Sequence, residues 1–132
     1  MPDLFLPKTE QEVSDFIFDN YNKSNPIEIV GNGSKKIGRI VQSSQTLSLK
    51  SMSGILEYFP EELYIKVLPG TPLREIETTL KQKNQFFGFE PNDLGFLYDG
   101  QSNPGTIGGV VSCNLSGPGR FKNGALRDHV LG

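Results

Sequence analysis

The sequence predicts a mixed fold of helices and short strands, of the α+β or α/β class. Two helical patterns, at residues 10–21 and 71–80, are separated by several short runs typical of β-strands. A regular alternation of strand and helix is absent from the pattern, and no internal repeat is visible. At 132 residues the chain is long enough for one domain, or for two small lobes that share a core.

The first helix is predicted over residues 10–21. Thr9 can cap it, and Glu12 stands three residues later, as a capping box requires. Apolar residues recur at helical spacing and predict one buried face, formed by Val13, Phe16, Ile17 and Tyr21.

Short strands follow this helix. The first is Ile27–Val30, which runs directly into the loop 31–36. Further strands are predicted over residues 46–49, 54–59 and 64–68, with Pro60–Glu62 as a hairpin turn.

The second helix is predicted to open at Thr71 and Pro72. Thr71 would be the cap, and Pro72 would take the first helical position, where a missing N–H costs nothing. Its buried face would consist of Leu73, Ile76 and Leu80. Residues 86–89 predict a short apolar strand, after which regular periodicity stops.

Composition excludes several classes of function. A net charge of -2 and a pI near 5.4 leave no basic stripe, so no nucleic-acid partner is expected. Cys113 is the only cysteine, which excludes an internal disulfide and a cysteine-based zinc site; no metal site is predicted. No signal-peptide pattern and no membrane-spanning run are visible. The expected location is the cytoplasm, with peripheral membrane association through partners left open.

Glycine is concentrated in the last third of the chain. Most of the 15 glycines stand at or after Gly88. Such density indicates either tight turns or close approach of the backbone to a ligand, and composition alone does not decide between them.

The loop 31–36 follows a strand, as a phosphate-binding loop does. A Rossmann fingerprint would need glycine at position 36, where Lys36 stands. The Walker pattern fails as well, because Arg39 and Ile40 replace its Lys and Ser/Thr. From its own residues the loop is either a ligand contact or an ordinary turn.

A second loop places Thr106 before Gly108 and Gly109. This pattern predicts a helix start whose backbone N–H groups face outward and leave room for a bulky ligand. A close-packed helix crossing is the alternative. Two separate loops rich in backbone amides are what a long diphosphate cofactor needs, and neither loop fits a nicotinamide or ATP template.

Three segments, in this order, resemble the flavoprotein superfamily of vanillyl-alcohol-oxidase type, whose FAD lies between two α+β lobes. They are Gly31-Asn32-Gly33-Ser34-Lys35, Leu68-Pro69-Gly70-Thr71-Pro72-Leu73, and the stretch that starts Gly105-Thr106-Ile107-Gly108-Gly109 and continues to Gly132. Within that superfamily, residues 115–118 and 127–132 are most similar to the FAD-binding E subunits of bacterial glycolate oxidases.

The resemblance implies a two-lobed α+β domain. Residues 1–85 would form the complete first lobe, and residues 86–132 would begin a truncated second lobe with the main FAD loop and the strand after it. The substrate domain would lie beyond the sequence, so no catalytic residue is assigned. The implied activity is oxidation of a 2-hydroxy acid such as glycolate, by hydride transfer to flavin, together with other subunits of a glycolate-oxidase-like complex.

The resemblance also implies which residues bind FAD. Those on the diphosphate and ribityl side would be Gly31, Asn32, Gly33, Ser34 and Lys35. Those touching the diphosphate from the other lobe would be Gly105, Thr106, Gly108 and Gly109, and those shaping the wall near adenosine and flavin would be Asn114, Gly117 and Gly124. FAD would be non-covalent, since Ser34 and Lys35 stand where members with tethered flavin often carry histidine.

Two other functions stay open. One is a truncated domain without cofactor that acts as an interaction module and self-associates through unpaired strand edges. The other is a different flavoenzyme of the same fold, such as a cell-wall precursor reductase.

Several residues of types that often act in catalysis are expected to have structural roles instead. His129 and Asp128 are adjacent and do not form the spacing of a catalytic pair. Cys113 is expected to be buried among apolar residues. Glu61 and Glu62 are expected in a solvated turn. Arg120 and Lys122 are expected either to contact a phosphate or to lie in a solvated loop.

Overall fold

A computed structural model describes residues 3–35, 38–39, 41–98 and 100–132. Lys36 and Ile40, used above against the Rossmann and Walker patterns, lie outside the described residues. The structure confirms the mixed class, with helices α1 (Glu10–Asn22), α2 (Leu73–Lys81), α3 (Gly95–Tyr98), α4 (Ile107–Ser112) and α5 (Arg120–Asn123), and strands β1 (Asp3–Phe5), β2 (Ile27–Val30), β3 (Gln45–Ser48), β4 (Ile55–Phe59) and β5 (Tyr64–Val67).

β1, β3 and β2 form a parallel sheet in that order, with Gln45 opposite both Asp3 and Ile27. The sequence pattern missed β1, because three residues are too few to show an alternation. With β1 present, α1 connects two parallel strands of one sheet. A strand–helix–strand unit therefore exists where the pattern had predicted none.

β4 and β5 form a separate antiparallel hairpin. Its turn is Pro60–Glu62, as predicted, and Leu63 closes it in the left-handed conformation with φ of 59°. The rings of Phe59 and Tyr64 stack across the hairpin with centroids 5.2 Å apart.

Helix α1 begins at the predicted cap, since the Thr9 hydroxyl accepts from the Glu12 N–H at 3.2 Å. The predicted capping box is only half formed, because the Glu12 carboxylate accepts from the Lys8 N–H at 2.6 Å and not from the Thr9 N–H. Its predicted buried face is only partly correct. Phe16 stacks on Phe5 with ring centroids 4.5 Å apart, but Ile17 and Tyr21 are exposed. Val13 and Phe16 are half-buried, so the covered face of the helix is narrower than the apolar pattern predicted.

Helix α2 buries the predicted face of Leu73, Ile76 and Leu80. Its cap was predicted wrongly: Pro72 occupies the N-cap position, and Thr71 is fully buried just before it. The Thr71 hydroxyl accepts from the Gly54 N–H at 2.9 Å and donates to the Leu68 carbonyl at 2.6 Å. Thr71 therefore fixes the turn before α2 and does not cap the helix.

The principal core joins α2 to α4 and to the C-terminal turn. Its buried members are Leu73, Phe89, Val110 and Leu126. Residues 86–89 do not form the predicted strand, because Phe87 and Phe89 turn their rings into this core, 4.8 Å apart. The prediction of a strand after the main FAD loop is also wrong, since Leu126–His129 forms a 3₁₀ helix.

Candidate FAD site

Three loops that are distant in sequence converge beside the core. The turn before α2 pairs with the loop before α4, since the Leu73 N–H donates to the Gly105 carbonyl at 3.0 Å and the Ile107 N–H donates to the Thr71 carbonyl at 2.9 Å. The Lys35 ammonium reaches the same loop and donates to the Pro104 carbonyl at 3.0 Å. The three segments that carried the resemblance are therefore neighbours in space.

Glycine permits this close approach. A Cβ built on Gly31 would lie 2.5 Å from the Thr106 Oγ1, and one on Gly105 would lie 2.8 Å from the Ser34 Oγ. Gly105 also has φ of 83°, which other residues rarely adopt. A Cβ on Gly108 would lie 2.8 Å from the Pro69 carbonyl oxygen. These three glycines thus have a packing reason for their lack of a side chain.

Gly33 and Gly109 differ from them. Gly33 has φ of 64° and no atom within 4 Å of a built Cβ, so its turn needs glycine but its surroundings are open. Gly109 is helical, and its Cβ would meet only the Thr106 Oγ1, at 3.4 Å. Neither backbone geometry nor protein packing explains glycine at 109, whereas a closely approaching ligand would.

The predicted cap of α4 is confirmed, because the Thr106 hydroxyl accepts from the Gly109 N–H at 3.4 Å. The expectation that the first amides of this helix face outward is wrong. The Ile107 and Gly108 N–H groups donate to the carbonyls of Thr71 and Pro69, so the helix start is docked on the turn before α2.

Other backbone donors remain available at the junction. Within the described residues, the N–H groups of residues 32–35 find no protein acceptor, nor do those of Gly105 and Thr106, which are both buried. Buried amides are nearly always paired with protein, water or a ligand. Two groups of amides beside the Lys35 ammonium fit an anionic group such as a diphosphate.

A cleft of about 140 Å³ opens beside these donors. The residues that line it are Asn32, Pro72, Arg74, Ser102, Asn103, Pro104 and Gly105. Sequence reasoning missed Arg74, Ser102 and Asn103. One local signal was available for Arg74, a cation in the first turn of a helix, where the helix dipole favours acidic residues.

Asp93 anchors the loop that supplies half of this cleft. Its Oδ1 accepts from the N–H groups of Gly95 and Asn103, both at 2.9 Å, and its Oδ2 accepts from the Ser102 hydroxyl at 2.5 Å. Desolvation raises the pKa of Asp93, but these hydrogen bonds and the charge of Arg74 outweigh it, so the pKa lies below its usual value.

We expect Asp93→Asn to destabilise the protein by about 1 kcal/mol near neutral pH, because an amide oxygen cannot replace all three bonds. A carboxylate with a lowered pKa stabilises the fold above the pKa of its unfolded state, and this stabilisation is lost as the pH falls through the folded value. The free energies of unfolding of the wild type and Asp93→Asn, measured in urea, should therefore converge at acidic pH. Asp19→Asn, at an exposed position on α1, is the control. A difference that does not change with pH would contradict this role.

Asn114, Gly117 and Gly124 lie in a second cluster. Asn114 accepts from the Arg127 N–H at 3.0 Å, and the Gly117 N–H donates to the Glu90 carbonyl at 2.7 Å. Gly124 has φ of 86°. Their described contacts are with the C-terminal segment and Glu90, so their place near adenosine and flavin stays a prediction.

The reactive residues set aside above make no described contact with residues 31–35, Gly105 or Thr106. The His129 ring packs on Phe89 at 6.0 Å, and its Nε2 lies 2.9 Å from the Asn123 carbonyl oxygen. Asp128 instead accepts from the Ala125 N–H. Cys113 is exposed, so its predicted burial is wrong. The described part of the chain contains no group of three His, Cys, Asp or Glu side chains able to hold a metal ion.

The fold is a mixed α+β domain in which three glycine-containing loops meet. Residues 3–132 match the family model of the FAD binding domain, and the chain belongs to this family. The predicted superfamily, fold and cofactor are thereby confirmed. Among the described residues, no helix has the length and apolar character needed to cross a membrane.

Two kinds of relative support this assignment. Glycolate oxidase subunit GlcE of Escherichia coli K12 is 38% identical over 128 residues, which is 96% of this chain and 32% of that protein. D-2-hydroxyglutarate dehydrogenase of Pseudomonas putida is 34% identical over 82 residues, 62% of this chain and 7% of that protein. The chain therefore spans about a third of the first relative and a small part of the second.

A solved structure shows the same fold. Alkyldihydroxyacetonephosphate synthase superimposes with a TM-score of 0.72 at 22% identity, over 96% of this chain and 24% of that one.

Proposed function

We propose that this chain is the FAD-binding part of an enzyme that oxidises a 2-hydroxy acid of the glycolate kind by hydride transfer to flavin. The observation that carries the proposal is the junction of residues 31–35 with Gly105 and Thr106, where Lys35 lies beside backbone amides that have no acceptor among the described residues. The names of the relatives give the substrate class, since glycolate and 2-hydroxyglutarate are both 2-hydroxy acids.

The residues of the junction would share the binding of FAD. The N–H groups of residues 32–35 and of Gly105 and Thr106 would hold the diphosphate, and Lys35 would add positive charge. Gly33 and Gly109 would leave space for the cofactor, while Gly31 and Gly108 allow the loops to touch. When bound, FAD supplies the acceptor for the two electrons removed from the alcohol carbon.

Further parts of the proposal follow from the resemblance. FAD is held without a covalent bond, because the first loop offers Ser34 and Lys35 and no histidine. The boundary between a first lobe at 1–85 and a second at 86–132 belongs to the proposal too. So does assembly with other subunits, since one relative is itself named a subunit.

The test is a flavin titration of the purified protein. We expect flavin absorbance that is released on denaturation, and we expect FAD to bind more tightly than riboflavin, which lacks the diphosphate. In the complete assembly, anaerobic glycolate or D-2-hydroxyglutarate should bleach the bound flavin. A colourless protein that ignores added FAD, and forms dimers instead, would overturn the proposal in favour of a non-enzymatic module.

A further inference from the structure

We propose that Arg74 is a direct ligand of a phosphoryl group, and that the cleft between Asn32 and Arg74 is the subsite that receives it. This inference rests on the proposed function, because the phosphoryl group is taken to be one of those in FAD. It adds a side-chain cation to a junction whose other donors are mostly backbone amides.

In the described structure the guanidinium of Arg74 uses only its Nη2 as a hydrogen-bond donor. Its Nη2 donates to the Ser102 carbonyl at 3.0 Å and contacts the Ser102 hydroxyl. A guanidinium carries five N–H donors, and phosphate is a ligand that it can bind through two parallel bonds. In the described part of the chain, the only ion pairs are Lys66–Glu57 and Arg127–Asp128, so no carboxylate there neutralises Arg74 by contact.

A polar relay orients this guanidinium. Ser102 accepts from Arg74 and donates to Asp93, whose carboxylate also binds the Gly95 and Asn103 amides. The negative charge of Asp93 thus lies one hydroxyl away from Arg74. Such support from a second layer of residues holds a ligand-binding side chain in place without occupying all its donors.

The surroundings of Arg74 favour an anion. It stands in the first turn of the nine-residue helix α2, where the helix dipole adds positive potential, although Glu75 beside it offsets part of this. Lys35 donates to Pro104 on the same loop that Arg74 holds through Ser102. Two cations therefore hold one loop, and the cleft that this loop borders is lined by Arg74 itself.

The experiment compares FAD and riboflavin binding by the wild type, Arg74→Gln and Arg74→Lys, with Lys81→Gln at the opposite end of α2 as the charge-matched control. We expect Arg74→Gln to weaken FAD binding roughly tenfold, the effect of one charge-assisted hydrogen bond. Arg74→Lys should recover part of this loss, and Lys81→Gln should show none. Riboflavin binding should be unchanged in all variants.

The effects of salt and inorganic pyrophosphate on FAD binding distinguish two roles of Arg74, as a ligand of phosphate or as a structural residue. In the wild type, added salt and inorganic pyrophosphate should weaken FAD binding, and both effects should be smaller in Arg74→Gln. Equal FAD affinity in wild type and Arg74→Gln would overturn this inference and leave the proposed function standing. An equal loss of riboflavin binding would also overturn it, in favour of a structural role. If the wild type itself fails to bind FAD, the proposed function fails first. Should Arg74→Gln not fold, Arg74→Lys and Ser102→Ala provide the same comparison.

Discussion

Gly109→Val should reduce FAD affinity on the order of 100-fold without reducing the stability of the protein. The added side chain would begin 3.4 Å from the Thr106 Oγ1, and a Cβ on Gly31 of the first loop would approach the same atom. An overpacked contact costs about 1–3 kcal/mol, and each 1.4 kcal/mol corresponds to about a tenfold change in affinity. Stability should hold, because valine has a higher helix propensity than glycine.

The neighbouring glycine provides the control for this experiment. A Cβ on Gly108 would lie 2.8 Å from both the Cβ and the carbonyl oxygen of Pro69. Gly108→Ala should therefore destabilise the protein by about 1–3 kcal/mol, whereas Gly109→Ala should be neutral or stabilising by up to about 1 kcal/mol. Thermal unfolding and FAD titration of all three variants check this. Retained FAD affinity in Gly109→Val would remove the assignment of Gly109 to the cofactor site.

Gly31→Ala should destabilise the protein by about 1–3 kcal/mol and weaken FAD binding with it. A methyl group at 31 would lie 2.5 Å from the Thr106 Oγ1. The backbone cannot withdraw easily, because the Ser48 hydroxyl donates to the Gly31 carbonyl at 2.9 Å. The first loop would be pushed away from Gly105 and Thr106.

A double-mutant cycle with Thr106→Ala tests this clash directly. Thr106→Ala alone removes the cap of α4 and should cost about 1 kcal/mol. In the double variant the hydroxyl that collides with residue 31 is gone. The stability loss of the double variant should therefore be smaller than the sum of the two single losses by at least about 0.5 kcal/mol. Simple additivity in denaturant unfolding would show that residues 31 and 106 do not interact as described.

Much of the local structure followed from the sequence because its hydrogen bonds join residues three or four apart. Thr9 and Thr106 cap their helices as their patterns predict. The spacing of Leu73, Ile76 and Leu80 gave the buried face of α2. Where a segment depends on a distant partner, the prediction failed: β1 exists through its pairing with β3, and the rings of residues 87 and 89 joined a core in place of a strand.

The sequence alone thus determined the family and the cofactor, and it predicted two glycine loops for the diphosphate. Only the tertiary structure decided which backbone groups of those loops are paired within the protein. It docked the first amides of α4 on Thr71 and Pro69, left those of Gly105 and Thr106 without an acceptor among the described residues, and brought Arg74 to Ser102 across 28 positions of sequence. It also separated Gly108, where a Cβ would collide with Pro69, from Gly109, where a Cβ would meet only the Thr106 Oγ1 at 3.4 Å. The physical reason is that a motif specifies which hydrogen-bonding groups a loop carries, whereas the path of the whole chain decides which of them bond to other parts of the protein.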